Sequence, residues 1–449
     1  RAVQYAVEHN LDIKQSVLNE RLTRLQLLQS QLSQLPNGSI SSNVGRSYGR
    51  SIDPTTNQFI NAGYTFAGLN GNVDVLLFGW FQKRNTINQN RLLAKAANAD
   101  IDQLKDDISL NVATAFLRIL LAAEQIKVNE RQLQFSLKQK EQTTYFVNAG
   151  RLPELDLAQM QAQVATDSSN YITAIANYQL SLLDIKAIMN FEISEPFAAM
   201  APNVNDVPVA EMASLNPEDV YNTAKDHFGA VASSKMQIEA ARKGLAAWQG
   251  ALLPQLAIGG QFGTNYSSVL QEVTNVRFAG LRNTENSVFI DNVSYSVQQP
   301  IFDVDTRTTP LGTQFGNNFR QTVALSLSVP LFNGWSTRSS VNRAKVDVQT
   351  RQISLEQTTL KLKQDVYKAY YDAKAAVQKY YAANRAAEAS SRASSYAEKR
   401  YELGLMNALE LLTTQNNAYK ASSEALSAKY DLLFKLKVID YYLGKEIKL

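Results

Sequence analysis

Two long stretches of this 449-residue chain are almost free of the residues that end helices. After Pro330 no proline occurs, and Gly404 is the only glycine between Gly334 and Gly444. Between Lys83 and Asn190, Gly150 is the only glycine and Pro153 the only proline. Glycine supplies the positive φ that closes a helix, and proline fits the first turn of the next. Each stretch therefore reads as two long helices meeting at a tip. One tip is Tyr401-Glu402-Leu403-Gly404-Leu405-Met406-Asn407; the other runs from Tyr145 to Leu157 and carries Gly150-Arg151-Leu152-Pro153. At about 1.5 Å per residue, the roughly 65 residues from Lys83 to Val147 reach close to ~100 Å, more than a compact domain needs. Ile101, Leu104, Ile108, Val112, Ala115, Ile119, Ala122 and Ile126 step by three and four, the spacing of a coiled-coil seam.

The rest of the chain repeats around these hairpins. Residues 1–35 carry apolar side chains at helical spacing and stop at Leu35-Pro36; residues 220–253 do the same and stop at Leu253-Pro254, an offset of 218. The same offset relates His9 to His227, Gly45 to Gly263 and Tyr48 to Tyr266, which points to an internal duplication. After each proline the apolar period changes to two, predicting strands over about 39–50 and 62–78 in the first half and about 255–266 and 320–332 in the second. From Leu77 and Leu331 onward the offset is 254, so the second half holds 36 extra residues (254 less 218), a polar insertion within 267–320 expected as loop or extra strand. The domain reading is a first repeat over 1–190, with helix 1–35, its strands and a helical hairpin over 83–190. A proline-rich linker over 191–219 follows. The second repeat spans 220–449, with helix 220–253, its strands and insertion, a helical hairpin over 336–443 and a short tail over 444–449.

Lys and Arg total 45 against 41 Asp and Glu, which lacks the basic excess of a nucleic-acid binder. The absence of cysteine excludes disulfides, thiolate metal sites and cysteine nucleophiles. His9 and His227 have no second histidine or cysteine nearby to complete a metal site, so neither metal nor cofactor is expected. No convergent polar constellation suggests an enzyme. No run of 18 apolar residues provides a transmembrane helix, whereas a β-barrel span needs no such run. Two strands per repeat give four per chain, too few to close a barrel, and open strand edges cannot stand in lipid, so several chains must combine. Two copies would give a barrel nearly filled by side chains; three would give twelve strands and room for a lumen. The polar set Asn70, Asn72, Asp74, Ser326 and Ser328 suits a water-filled interior.

The tandem halves, the run Pro330-Leu331-Phe332-Asn333-Gly334-Trp335 with its twin Leu77-Phe78-Gly79-Trp80, and the tip Tyr401-Glu402-Leu403-Gly404 followed by Leu409-Glu410-Leu411 resemble the TolC family of outer-membrane efflux and secretion channels. The resemblance covers essentially the whole chain. It implies an α+β membrane protein: a homotrimer whose 12-stranded barrel in outer-membrane lipid continues into an α-helical periplasmic tunnel girdled by an equatorial belt. It implies further that a periplasmic adaptor (membrane fusion protein) and an inner-membrane transporter of RND, ABC or MFS type dock at the tunnel end, in a tripartite efflux pump or type I secretion system. By the same resemblance, Asp156 and Glu410, each six residues after a tip glycine, form acidic rings at the pore, and Tyr401 belongs to the gate. Gly150, Arg151, Leu152, Pro153, Gly404, Leu405, Met406 and Asn407 are the adaptor-docking tips. Met406 stands where the family places a gate arginine and Thr413 where it places a second acid, so closure is expected to rest on apolar contact in place of a salt-bridge latch.

Plainer roles compete with these. An acid in the first turns of a helix complements the helix dipole, which by itself accounts for Asp156 and Glu410. Trp80 and Trp335 suit an interfacial aromatic belt or a core anchor. A non-conducting periplasmic coiled-coil scaffold would explain the helices and leave the alternating strands without a purpose. The exported substrate is not written in the sequence.

Overall fold

A computed structural model describes residues 1–53, 57–61, 63–197 and 215–445. Most of the linker expected over 191–219, including Pro202 and Pro208, and the tail beyond Lys445 lie outside the described residues. The chain divides into a helical unit (Arg1–Leu27, Asn88–Leu245, Arg343–Leu449) and a sheet unit (Leu28–Ile87, Ala246–Asn342).

In the sheet unit, β1 (Asn37–Ser47), β4 (Tyr64–Phe78), β5 (Gln255–Ser267) and β8 (Arg320–Ser328) form an antiparallel sheet in the order β1-β4-β5-β8. Residues paired across strands share a face. Ile40 lies opposite Gly71, Val75 opposite Ile258, Ile258 opposite Leu325 and Leu256 opposite Leu327, so one face is apolar from edge to edge. The other face carries Ser41 opposite Asn70, Asn72 opposite Gln261 and Ala257 opposite Ser326. The apolar face is uncovered: Val44 is 78% and Leu327 68% exposed. Phe262 lies across Gly71, where a Cβ would stand 2.2 Å from the ring.

The strands depart from expectation in three places. The strand expected over 39–50 stops at Ser47, where Gly49 (φ +95°) turns the chain into a small hairpin of β2 (Arg50–Ile52) and β3 (Phe59–Asn61). The strand expected over 62–78 begins at Tyr64. The strand expected over 320–332 stops at Ser328, because Pro330 has no N–H for a ladder. The insertion over 267–320, expected as loop or extra strand, holds two strands: β6 (Gln271–Ile290) and β7 (Val293–Thr308) make a long hairpin, followed by α7 (Leu311–Asn317). Bulges between Val273 and Asn275, Phe278 and Gly280, and Asn283 and Ser287 break the period-two pattern that would have announced it. Its turn, Asp291-Asn292, has both residues at positive φ, as a two-residue type I′ hairpin requires. Gln314 of α7, fully buried, bonds Ser267 N, Ser267 O and Thr309 O at 2.8–2.9 Å and fixes the base of the hairpin.

Both strand-to-helix junctions hold two consecutive residues in the left-handed region, Trp80-Phe81 and Gly334-Trp335. The conformational twin of Trp80 is therefore Gly334, one residue before the tryptophan that the sequence comparison pairs with it.

The helical unit contains α1 (Ala2–His9), α4 (Glu154–Met189), α5 (Pro217–His227) and α9 (Ala408–Tyr442), and most of α2 (Leu11–Leu32), α3 (Gln82–Asn148), α6 (Gly229–Gly250) and α8 (Ser336–Glu402). The single helix expected over 1–35 is broken at Asn10, whose Oδ1 accepts from the N–H groups of Asp12 and Ile13 and so caps α2. The single helix expected over 220–253 is broken at Phe228 and starts earlier, with Pro217 in its first turn and Asn216 as cap. Each break follows a histidine. His9 stacks on Tyr5 at 4.1 Å and its Nδ1 lies 3.0 Å from Tyr5 O, a packed residue.

Ala6, Ile13, Ile108, Val112, Ala115, Ile119, Ile185 and Met189 form one core, and Ala369, Ala373, Ala376, Leu432, Leu436 and Ile439 another. Leu117 and Leu120 of α3 meet Tyr430 and Leu433 of α9, joining the two hairpins.

Substituting Gly71→Val forces the Phe262 ring out of place and should cost about 1–3 kcal/mol of overpacking, read as earlier unfolding of the purified protein in detergent. Gly259→Val, where a Cβ meets nothing closer than 3.9 Å, should leave the transition unmoved.

Candidate functional site

The two helical tips are built alike. At Gly150 (φ +66°) its N–H bonds Val147 O and the next N–H, of Arg151, bonds Phe146 O, both at 2.9 Å; at Gly404 (φ +72°) the N–H groups of Gly404 and Leu405 bond Tyr401 O and Arg400 O at 2.9 and 2.8 Å. This is the Schellman closure, in which a left-handed residue lets two N–H groups satisfy the last carbonyls of a helix. Asn190 and Gly444 close α4 and α9 with the same bond pattern at the opposite ends of the hairpins.

The return helices start differently. Pro153 (ψ 158°) leads into α4 without a side-chain cap. Asn407 caps α9: its Oδ1 accepts from Glu410 N at 2.8 Å, and its Nδ2 donates to Glu410 Oε1 at 3.2 Å. Glu410 is thus exposed and tied to its own helix start, a reciprocal cap of the kind that satisfies first-turn donors. Asp156 is half-buried and close to Tyr401. Arg151 is exposed and lies over the Phe146 ring at 5.0 Å. Leu405, Pro153 and Asn407 are exposed, while Leu152 and Met406 turn inward against the tip core. Leu155, Leu403 and Leu409 add exposed apolar surface to the tips.

Tyr401 is buried among Met160, Ala397, Ala408, Leu411 and Leu412, and its hydroxyl lies 2.9 Å from Thr143 Oγ1 on α3. It is a tie between the two hairpins of one chain. Burial pushes its phenol above the ordinary tyrosine range, and the nearby Asp156 adds to that while the Thr143 bond opposes it.

Beyond the tip core the seam between hairpins is polar. Tyr419 Oη donates to Asn129 Oδ1 at 2.7 Å, Ser423 Oγ to Gln125 Oε1 at 3.1 Å, and Gln132 and Gln163 both donate to the buried Asp167. Gln163 and Asn416 exchange bonds at 3.2 Å. Gln139 Oε1, Gln159 Oε1 and Gln415 Nε2 are buried without a hydrogen-bond partner. The sequence reading missed this seam, though its signal was available: Asn129, Gln132, Ser136, Gln139 and Thr143 continue on α3 the same three-and-four stepping that ends its apolar run at Ile126. Among the described residues no His, Cys, Asp and Glu cluster could hold a metal ion, and no helix is long and apolar enough to cross a membrane.

A family model described as "Outer membrane efflux protein" matches residues 220–445, half of the chain. The outer membrane protein TolC of Escherichia coli (strain K12) is 24% identical over 337 residues, 75% of this chain and 61% of the relative. The match thus spans about three fifths of that relative's length. Toxin and drug export protein A of Aggregatibacter actinomycetemcomitans is 19% identical over 362 residues, covering 81% of this chain and 69% of the relative. Among solved structures, CusC superposes with a TM-score of 0.78 at 14% identity, covering 99% of this chain and 91% of that one. The CmeC outer membrane channel of Campylobacter jejuni gives 0.77 at 16% identity, with 99% and 84% covered. The shared fold thus runs through nearly every described element, and on the family match the chain belongs to the outer membrane efflux proteins.

Proposed function

We propose that this chain is the outer-membrane exit duct of an export system, working as a homotrimer whose sheets close into a 12-stranded barrel continuous with a helical tunnel in the periplasm. The observation that carries the reading is the four-stranded sheet, apolar and uncovered on one face, polar on the other, with β1 and β8 as its edges. Such a sheet is satisfied when its apolar face meets lipid, its polar face meets water and its edges pair with other copies. A non-conducting coiled-coil scaffold leaves that apolar face without a use. Toxin and drug export protein A and the efflux-family description support export as the activity. In a tripartite pump or a type I secretion system, the partners would be a periplasmic adaptor and an inner-membrane transporter of RND, ABC or MFS class. The docking surface would be the tips, Gly150, Arg151, Leu152, Pro153, Gly404, Leu405, Met406 and Asn407, where Leu405 offers apolar contact and Arg151 charge.

Purified protein added to planar lipid bilayers should produce discrete conductance steps, and its mass in detergent should be that of three chains. A monomer that stays soluble without detergent and conducts nothing overturns the reading.

At the tip, Asp156 and Glu410 would form acidic rings in the trimer, attracting cations in a narrow passage. Asp156→Asn with Glu410→Gln should move the reversal potential in a KCl gradient toward zero. Asn407 keeps its bond to the N–H of residue 410 in that variant, so a fold change is not the expected cause. Tyr401→Phe removes the bond to Thr143 and weakens the tie between hairpins by about 1 kcal/mol, so single channels should stay open about five times more often.

A further inference from the structure

The apolar face of the four-stranded sheet ends in a charge. The four strands hold three charged residues, Arg46, Asp74 and Arg320. Asp74 lies opposite Gly259 and Arg320 opposite Gly263, both on the polar face. Arg46 lies opposite Thr65, one row beyond Val44, Ala67 and Tyr266, and is the charge on the apolar face.

Its level along that face is defined. Phe78, opposite Leu256, ends the face where β4 approaches α3, and its ring lies 5.3 Å from that of Trp80. The 13 steps from Thr65 to Phe78 (78 less 65) span ~43 Å along the strand at about 3.3 Å each, or about 33 Å across a membrane at a strand tilt of about 40°. The hydrocarbon core is about 30 Å thick. With Phe78 and Trp80 at one boundary, Arg46 therefore stands at the headgroup level of the other, where an arginine on a lipid-facing strand is tolerated.

A second arginine lies close by in the chain, and both are held by rings. Tyr48 follows on the same face, and Arg46 Cζ lies 5.4 Å from its ring centroid. Just past Gly49, Arg50 Cζ lies 4.9 Å from the ring of Phe59 on the paired strand β3. Tyr48 and Phe59 are themselves exposed. On the β6–β7 hairpin, by contrast, Arg277 and Arg307 are paired with Asp305 and Glu272 at 2.9 and 2.6 Å. Among the described residues, Arg46 and Arg50 have rings where those two have carboxylates. A ring takes the flat face of a guanidinium and leaves its N–H edge free, and that edge matches two oxygens of a phosphate.

We infer that Arg46 and Arg50 hold the phosphate of a phosphorylated glycolipid in the outer leaflet, whose acyl chains lie on the apolar face below them. The inference rests on the barrel reading above, which sets that face in lipid and turns this end of the sheet outward. Tyr48 and Phe59 fix the guanidinium groups beforehand, so that binding orders little of the protein.

Native mass spectrometry of the detergent-purified protein, titrated with lipid A, reads binding as mass added to the trimer. Lipid A should bind, and its dephosphorylated form should bind about tenfold more weakly. Arg46→Gln with Arg50→Gln should show the same loss for lipid A, whereas Arg277→Gln with Arg307→Gln, which removes equal charge from the hairpin, should not. Inorganic phosphate at the lipid concentration should leave the adducts in place. Equal binding of the dephosphorylated lipid, or full binding by the Arg46–Arg50 variant, overturns the site. Displacement by inorganic phosphate, or equal binding of phosphatidylglycerol, overturns the glycolipid as its occupant. If the Arg46–Arg50 variant does not assemble, the comparison of the two lipids on the unaltered protein decides. An unaltered chain that forms no trimer overturns the barrel reading, whereas a trimer indifferent to the lipid's phosphate overturns this site alone.

Discussion

The unpaired backbone along β1 and β8 is the constraint from which the rest of the architecture follows. Each edge strand presents N–H and C=O groups that must find partners, and in hydrocarbon water cannot supply them. The apolar face of the same sheet makes water the wrong surroundings. On the proposed reading, a sheet with both properties is complete only beside other sheets like it. On that reading the sheet of one chain is a segment of a closed barrel.

The duplication explains how one chain supplies such a segment. Its two halves share offsets, helix breaks, strand-to-helix junctions and the closures at Gly150, Gly404, Asn190 and Gly444, yet the side chains at equivalent positions have diverged according to what covers them. Gly229, Ala240 and Gly244 face a helix of the same chain; Leu11 and Leu22 face outward. Backbone geometry is held constant while side-chain size follows the neighbour.

Much of this was legible in the sequence because glycine and proline act locally. The tips at Gly150 and Gly404 follow from positive φ, and the β1, β4, β5 and β8 sheet from alternation after Pro36 and Pro254. The breaks at Asn10 and Phe228 were not legible, since a single capping residue interrupts an apolar pattern without altering its period. The β6–β7 hairpin was hidden by its bulges, which shift the alternation each time it begins to be recognisable. At the site, the spacing of Asp156 and Glu410 from their glycines was readable, but the inward position of Tyr401 against Thr143 depends on a contact between residues 258 positions apart. No local pattern announces such a contact.

The change from apolar to polar packing along α3 also has a thermal consequence. Separating Ile119 from Ile185 would expose hydrocarbon and carry the large positive heat-capacity change of apolar hydration. Separating Gln163 from Asn416, or Tyr419 from Asn129, exchanges amide and hydroxyl bonds for bonds to water, and polar exposure changes heat capacity in the opposite sense. Rearrangement confined to this polar stretch would therefore lack the positive heat-capacity change that accompanies opening of the apolar stretch.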